Sequence, residues 1–395
     1  MSETVIVAGA RTPIGKLSGA FSSLEATDLG GAAIAEALAR AGVSPDLVDY
    51  VLMGQVIQAG AGQMSARAAA AKGGIPLTAT SVAINKACPS GLVALYQADL
   101  MIKNGDADIV VAGGMESMTN APHLANGLRA GIKLGDTSLV DSMMFDGLTC
   151  GLEHIAMGAS TERYNQNDTK ISRARQDEFS ARSHQLAAAA VAAGRLAEEI
   201  VPVVVKGRKG DTVVELDEGI RAETTAESLG ALRPAFSKDA DATVTAGNAS
   251  QISDAGSAMV LMSKDKARSL GIDWLGELVG YGQVAGPDTS LLHQPANAIA
   301  KACAKLGIDP KSADVYEINE AFAAVGLASM DDLSLDEAKV NPNGGAIALG
   351  HPIGMSGNRI ALSTLYELKR RGGGIGIAAL CGGGGQGDAA ILKVG

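Results

Sequence analysis

Aromatic side chains are scarce, at 3% of 395 residues with a single Trp, and charged residues reach only 19%. A core must therefore be assembled from small aliphatic side chains. The four cysteines, Cys88, Cys150, Cys303 and Cys381, form no C-x-x-C pair. That spacing argues against a zinc site or a disulfide framework and fits reduced thiols in a cytoplasmic protein. No run of 18 apolar residues is free of charge, and the first residues have neither a basic start nor a long apolar stretch, so neither a membrane span nor export is expected. Excess positive charge is also missing: the formal net charge is −10, which argues against nucleic acid or an anionic membrane as a partner. There is no G-x-S-x-G elbow, no G-x-x-x-x-G-K-[ST] loop and no H-E-x-x-H pair. Serine-hydrolase, P-loop and zincin chemistry are set aside on that ground.

What the chain does have is glycine, 50 residues, and an apolar fraction of 47%, a mixture suited to closely packed helices and strands. Its length calls for two or three packed units. The first 118 residues read as strand (Thr4–Gly9), turn (Arg11-Thr12-Pro13), helix to Ala41 with Asp28 as cap and Gly42 as stop, and strand (Asp49–Met53). A short helix (Met64–Ala71), a strand (Val82–Asn85), a helix (Pro89–Lys103) and a strand (Asp108–Ala112) follow. That alternation predicts an α/β fold with a parallel sheet and crossover helices. Cys88 falls where the apolar run from Val82 ends and the helix begins, an expected N-cap with Pro89 at the first helical position. Free N–H groups and the helix dipole at such a place favour a thiolate, hence a nucleophile, whereas a lone cysteine is more often a small buried hydrophobe.

Much of this first part recurs about 265 residues later. Ala39-Arg-Ala-Gly-Val-Ser-Pro45 matches Ala304-Lys-Leu-Gly-Ile-Asp-Pro310, and the strand from Asp49 matches the one from Asp314. A shift larger by one places Ser90-Gly91 on Ser356-Gly357 and Val110–Ala112 on Gly376–Ala378. Four segments in one order at nearly one offset indicate a duplicated unit. The reading is two similar halves, 1–118 with 250–268 and 269–395, separated by an inserted segment, 119–249. The insertion holds a helical run from Arg173 to Leu196 and a Lys206-Gly-Arg-Lys-Gly210 turn between β-rich pieces. It also holds the basic residues Arg163, Arg173, Arg175, Lys206, Arg208, Lys209, Arg221 and Arg233. Such a cluster is either a solvated face or the best local site for phosphates in an acidic chain.

Polar residues of the second half fall at expected strand ends, where ligands of α/β sheets collect. Asn319-Glu-Ala-Phe322 follows one strand, Cys381-Gly-Gly-Gly-Gly385 follows another, and Gly350-His-Pro-Ile-Gly354 precedes a helix, the position expected to be equivalent to Cys88 in the repeat. Separately, His351, Cys381 and Asn319 read as structural residues; at matched strand ends they point to one pocket shared with Cys88. These segments, with Val5-Ile-Val-Ala-Gly-Ala-Arg-Thr-Pro13, Val111-Ala-Gly-Gly-Met-Glu-Ser117 and Asn343-Gly-Gly-Ala-Ile-Ala-Leu-Gly-His-Pro352, resemble the thiolase family, on its acetyl-CoA acetyltransferase branch. The resemblance runs from Val5 to the C-terminus.

The resemblance implies a thiolase-like fold of two pseudo-symmetric, five-stranded, doubly wound halves with an inserted loop domain that carries coenzyme A contacts. It also implies a homotetramer, a dimer of dimers. The substrates would be acetyl-CoA, acetoacetyl-CoA and CoA, with no permanently bound cofactor and no metal. Cys88 would be acylated while His351 takes its proton, and Cys381 would remove a proton from a second acetyl-CoA. His351 and a water on Asn319 would form one oxyanion hole, and the N–H groups of Cys88 and Gly383 a second. Arg221 and Ser228 would lie near the nucleotide, and Met157, Phe236, Ser250 and Phe322 along the rest of the coenzyme or acyl chain. Three departures stand out: Pro89 after the nucleophile, Ala156 where short-chain members carry histidine, and Ser290-Leu-Leu-His-Gln-Pro295 in place of a glycine-rich turn. The alternatives are a longer-chain 3-ketoacyl-CoA thiolase, a decarboxylating ketoacyl synthase and a non-catalytic acyl-CoA-binding protein. The Cys381-Gly-Gly run disfavours the synthase, and the presence of Cys88, His351 and Cys381 together disfavours the last.

Overall fold

Residues 3–395 are described by a computed structural model. The chain opens with β1 (Thr4–Arg11), β2 (Gly15–Lys16), α1 (Ala26–Ala41), β3 (Tyr50–Gly54), α2 (Ser65–Lys72), β4 (Thr80–Ile84), α3 (Ser90–Asn104) and β5 (Ile109–Ser117). These elements follow the expected alternation, with ends moved by a few residues. The cap of α1 is Glu25 rather than Asp28. Asp28 sits at N3 and accepts from the Glu25 N–H, while Glu25 receives the N3 N–H, so the pair caps reciprocally.

The insertion carries β6 (His123–Leu124), β7 (Val140–Asp141), α4 (Met157–Tyr164), α5 (Arg173–Ala192), the hairpin β8 (Val203–Val205) and β9 (Thr212–Val214), and α6 (Ala226–Gly230). The basic turn from Lys206 joins β8 to β9, as expected. Then come β10 (Ser253–Ser263), α7 (Lys264–Leu270), β11 (Gly276–Ala285), α8 (Gln294–Leu306), β12 (Val315–Ile318), α9 (Ala323–Leu333), α10 (Ala346–Leu349), α11 (Ile353–Arg371), β13 (Gly374–Gly382) and β14 (Gln386–Val394).

One sheet runs β12-β13-β14-β11-β1-β10-β5-β3-β4, with β2 on β10. It is mixed: β3 pairs in parallel with β4 and β5, and β12 with β13, while the remaining pairs are antiparallel. Tyr50 faces Val110 in the first half and Val315 faces Gly376 in the second, which reproduces the 265 and 266 offsets as strand register. The halves meet where β1 pairs with β11 at only two positions, Val5 with Glu277 and Ile6 with Gly276. Glu277 also pairs with Lys393, so β1 and β14 flank the same strand.

Alternation along the strands builds the layers. Val51 and Met53 face the cluster with α1 and α2, whereas Leu52 joins Leu92 and Leu95 of α3 and Ile360 and Leu365 of α11. Ala378, Leu380 and Leu392 of the second half enter that same central cluster, while Ile377, Ala379 and Cys381 face α8 and α9. Thus α3 and α11 lie between the halves and serve both. They cross at glycines: a Cβ on Gly357 would stand 2.6 Å from the Leu92 nitrogen, and one on Gly91 2.8 Å from the Asn358 nitrogen.

The second half departs from the expected five strands. Beyond β12 only Val340 bridges Tyr316. Asn341, at φ 46°, then replaces a strand with its side chain, accepting from the Ile318 N–H at 2.8 Å and donating to the Ile318 carbonyl at 2.9 Å. Pro342 next to it has no N–H to continue a ladder. No helix among the described residues is long and apolar enough to cross a membrane.

Candidate active site

The turn before α3 is built to present Cys88. Ala87 takes φ 51°, its N–H donating to the Asn85 side chain at 3.0 Å, and the Ser90 hydroxyl accepts the Lys86 N–H at 2.8 Å while donating to the Ala87 carbonyl at 2.6 Å. Lys86 reaches both Asp388 oxygens of β14 at 2.9 Å, tying this turn to the other half. The helix cap is Pro89, so Cys88 stands one residue outside the position expected for it.

His351 reaches Cys88 from the turn before α11. Gly350 supplies the backbone angle, φ 116°, and leaves room for the Ser253 hydroxyl, which a Cβ would strike. The His351 N–H donates to the Gln251 carbonyl at 3.0 Å. Its Nδ1 lies 2.6 Å from the Ser356 hydroxyl, which itself donates to the Pro352 carbonyl at 2.9 Å. With that hydroxyl proton spent on Pro352, Nδ1 carries the hydrogen and Nε2 keeps a lone pair. Nε2 lies 3.3 Å from the Cys88 sulfur.

Burial, outweighing the N–H groups of Cys88 and Gly383 that point at the sulfur, pushes the Cys88 thiol up to about 11. This reverses the expected thiolate, because the walls desolvate the sulfur more than the turn stabilises its charge. Burial, aided by the Arg359 charge, lowers His351 to about 3. The resting pair is a neutral thiol beside a neutral imidazole.

The two residues lie on a cavity of about 930 Å³. Gly383, Met157, Phe236, Ser250, Phe322 and Arg221 also line it, as does Ala156. Phe236 and Phe322 meet edge to face, their ring centres 6.3 Å apart. Leu148, Leu152 and Leu291 complete an apolar wall, Leu291 coming from the stretch that departs from the resemblance. Ser228 is not among the lining residues; it is exposed and caps α6 reciprocally with Thr225.

Cys381 and Asn319 are not among the lining residues, and each is fully buried. The Cys381 thiol is raised well above its ordinary value, first by burial and then by the nearby Cys88. Asn319 makes no hydrogen bond with either side-chain amide atom inside the protein, although its backbone N–H donates to Ala379 at 2.9 Å. Buried amides of that kind are rare and are normally served by a water or a ligand. The offset that matches Ser90 to Ser356 puts Gly354, not His351, at the position of Cys88, because α11 begins earlier than α3. Cys88 and His351 are complementary rather than equivalent.

Four of the eight basic residues singled out in the insertion are paired with carboxylates: Arg163 with Glu153, Arg173 with Asp177, Arg175 with Asp331 and Lys206 with Asp211. Arg221 is the member of that cluster on the cavity. Sequence reasoning missed Ser356 and the Lys86–Asp388 pair, and it gave Glu116 no role. Only Ser356, a hydroxyl one helical turn from His351, left a readable signal.

Comparison with known proteins accords with this arrangement. Residues 4–265 match the family model described as "Thiolase, N-terminal domain" and residues 272–394 that described as "Thiolase, C-terminal domain". A probable acetyl-CoA acetyltransferase of Mycolicibacterium smegmatis is 56% identical over 390 residues, 98% of this chain and 100% of that one. The acetyl-CoA acetyltransferase of Cupriavidus necator is 46% identical over 395 residues, 100% of both. The crystal structure of the Bacillus anthracis acetyl-CoA acetyltransferase superposes with a TM-score of 0.96 at 41% identity, covering 100% of this chain and 99% of that one.

Proposed function

The chain belongs to the thiolase family, and from that premise we propose that it is an acetyl-CoA acetyltransferase, joining two acetyl-CoA molecules to acetoacetyl-CoA and CoA and catalysing the reverse thiolysis. The observation that carries the reading is the 3.3 Å contact of His351 Nε2 with the Cys88 sulfur on the cavity, with Cys381 close behind.

In this mechanism His351 Nε2 takes the thiol proton as the Cys88 sulfur bonds to the thioester carbon. The neutral resting pair makes that transfer coincide with attack rather than precede it. The N–H groups of Cys88 and Gly383 then hold the acyl oxygen. CoA leaves with the proton of Cys381, and the thiolate so formed removes a methyl proton from the second acetyl-CoA. The enolate oxygen is held by the protonated His351 and by a water on Asn319, whose amide has no protein partner. The enolate carbon attacks acetyl-Cys88, the carbon–sulfur bond breaks, and Cys88 regains its proton from His351. Arg221 serves the nucleotide end, and Met157, Phe236, Ser250 and Phe322 line the path of the pantetheine and acyl groups. Ser228, outside the cavity, reaches the coenzyme only where its nucleotide emerges. The segment 119–249 acts as the coenzyme-binding insertion between halves 1–118 with 250–268 and 269–395. A cytoplasmic setting with reduced thiols and a dimer-of-dimers assembly belong to the same proposal.

Incubation with acetyl-CoA followed by peptide mapping is expected to place one acetyl group on Cys88. Cys381→Ala is expected to acylate but to fail in condensation, with turnover lower by about 1,000-fold or more. An acetyl group on another residue, or a Cys381→Ala variant that condenses at the wild-type rate, overturns the assignment.

A further inference from the structure

Glu116, near the end of β5, is fully buried, and the reaction above makes no use of it. Its carboxylate accepts three backbone N–H groups, from Val56 at 3.0 Å, Ile57 at 3.1 Å and Gly354 at 2.8 Å. The first two lie just past β3; the third is the second residue of α11, three beyond His351. Gly54 and Gly114 let the Gly354 carbonyl come so near their backbones that a Cβ on either would collide with it. The start of α11, from the second half, is thus seated on β3 and β5 of the first, and Glu116 is the hydrogen-bonded pin at that seat. Cys88 belongs to the first half and His351 to the second.

We propose that Glu116 is a positioning residue: by pinning the start of α11 to β5 and the segment after β3, it fixes His351 against Cys88. Residues 51–66 bring no charged group to it. The titratable groups coupled to it are Asp254 from β10 and Cys88 ahead of α3. Burial, partly offset by the three N–H groups and reinforced by Asp254, pushes the Glu116 carboxyl up to about 7. Its negative charge in turn raises the Cys88 thiol. As pH rises through neutrality the pin becomes ionised, gripping the three donors more strongly while making the Cys88 thiolate harder to form.

The proposal rests on the thiolase reading for its catalytic meaning, so the decisive measurement is independent of substrate: alkylation of Cys88 by iodoacetamide against pH, followed by intact mass. Below its own pKa a thiol gives a logarithmic rate that rises one unit per pH unit. In the wild-type protein that line is expected to break downward near pH 7 as Glu116 ionises. In Glu116→Gln the line is expected to run straight, because the charge is gone. Since an amide nitrogen must then face an N–H donor, kcat for acetyl-CoA should fall about 10- to 100-fold with KM within twofold, Glu116 lying outside the cavity lining. An unbroken wild-type line overturns the proposal even if the variant does not fold. So does a Glu116→Gln protein whose kcat stays within twofold of wild type. Loss of condensation activity in the wild type with the break intact would count against the thiolase reading alone.

Discussion

Ser356 decides which nitrogen of His351 faces Cys88. By accepting from Nδ1 while donating to Pro352 it keeps the lone pair on Nε2, where the thiol proton must go. Ser356→Ala lets the other tautomer compete and frees the ring to turn. The rate of the first CoA release should drop about 10- to 100-fold, with KM for acetyl-CoA nearly unchanged; rapid-quench measurement of the burst checks this. At this scale the sequence was informative about identity and poor about environment. Cys88, His351 and Cys381 were singled out from their places at turns and strand ends. The upward shift of Cys88 was not, because it comes from burial, and the apolar cluster that Cys88 packs against gathers Val56, Met118 and Ile353 from distant parts of the chain. Ser228 shows the converse: its motif was readable, but a local cap with Thr225 holds its hydroxyl.

Among the elements, the crossing of α3 and α11 carries the most consequence, since both active-site turns lead into these helices. Gly357→Ala would gain about 0.5–1 kcal/mol of helix propensity, but its Cβ would press on the Leu92 nitrogen at 2.6 Å. Backbone cannot yield as a flexible side chain can, and overpacking of that kind costs about 1–3 kcal/mol. The net expectation is a loss of about 1 kcal/mol in urea unfolding, against the usual direction for glycine to alanine in a helix. The offset of 265 and 266 residues reappears as the shared register of β3 with β5 and of β12 with β13, since a repeated sequence satisfies the same pairing. It did not reveal that Asn341 would stand in for a fifth strand, a substitution made by side-chain chemistry. The cap of α3 was misplaced by one residue because the positive φ of Ala87 has no glycine or asparagine to announce it.

Across the whole molecule, the insertion is fastened to the sheet by a buried charge cluster. Arg11 at the end of β1 bonds Glu199 at 2.8 Å and Asp217 at 2.7 and 2.9 Å, with no exposed surface of its own. Burial disfavours its charge, but the two carboxylates outweigh that and raise its pKa. Arg11→Leu would leave both acids unpaired in the interior, and about 3–5 kcal/mol of stability should be lost, visible as a lower urea midpoint. The α/β class was legible from alternation, whereas this fastening joins residues about 200 positions apart and leaves no local pattern. The strand order has one more consequence. Val5 and Lys393 lie on either side of Glu277, two strand spacings or about 10 Å apart, a gap that a short peptide could bridge. Chain connectivity and architecture are therefore separable in this protein: a circularly permuted gene, joined there and reopened in an exposed loop such as Gly131–Gly135, would encode the same sheet, the same crossing of helices and the same meeting of Cys88 with His351.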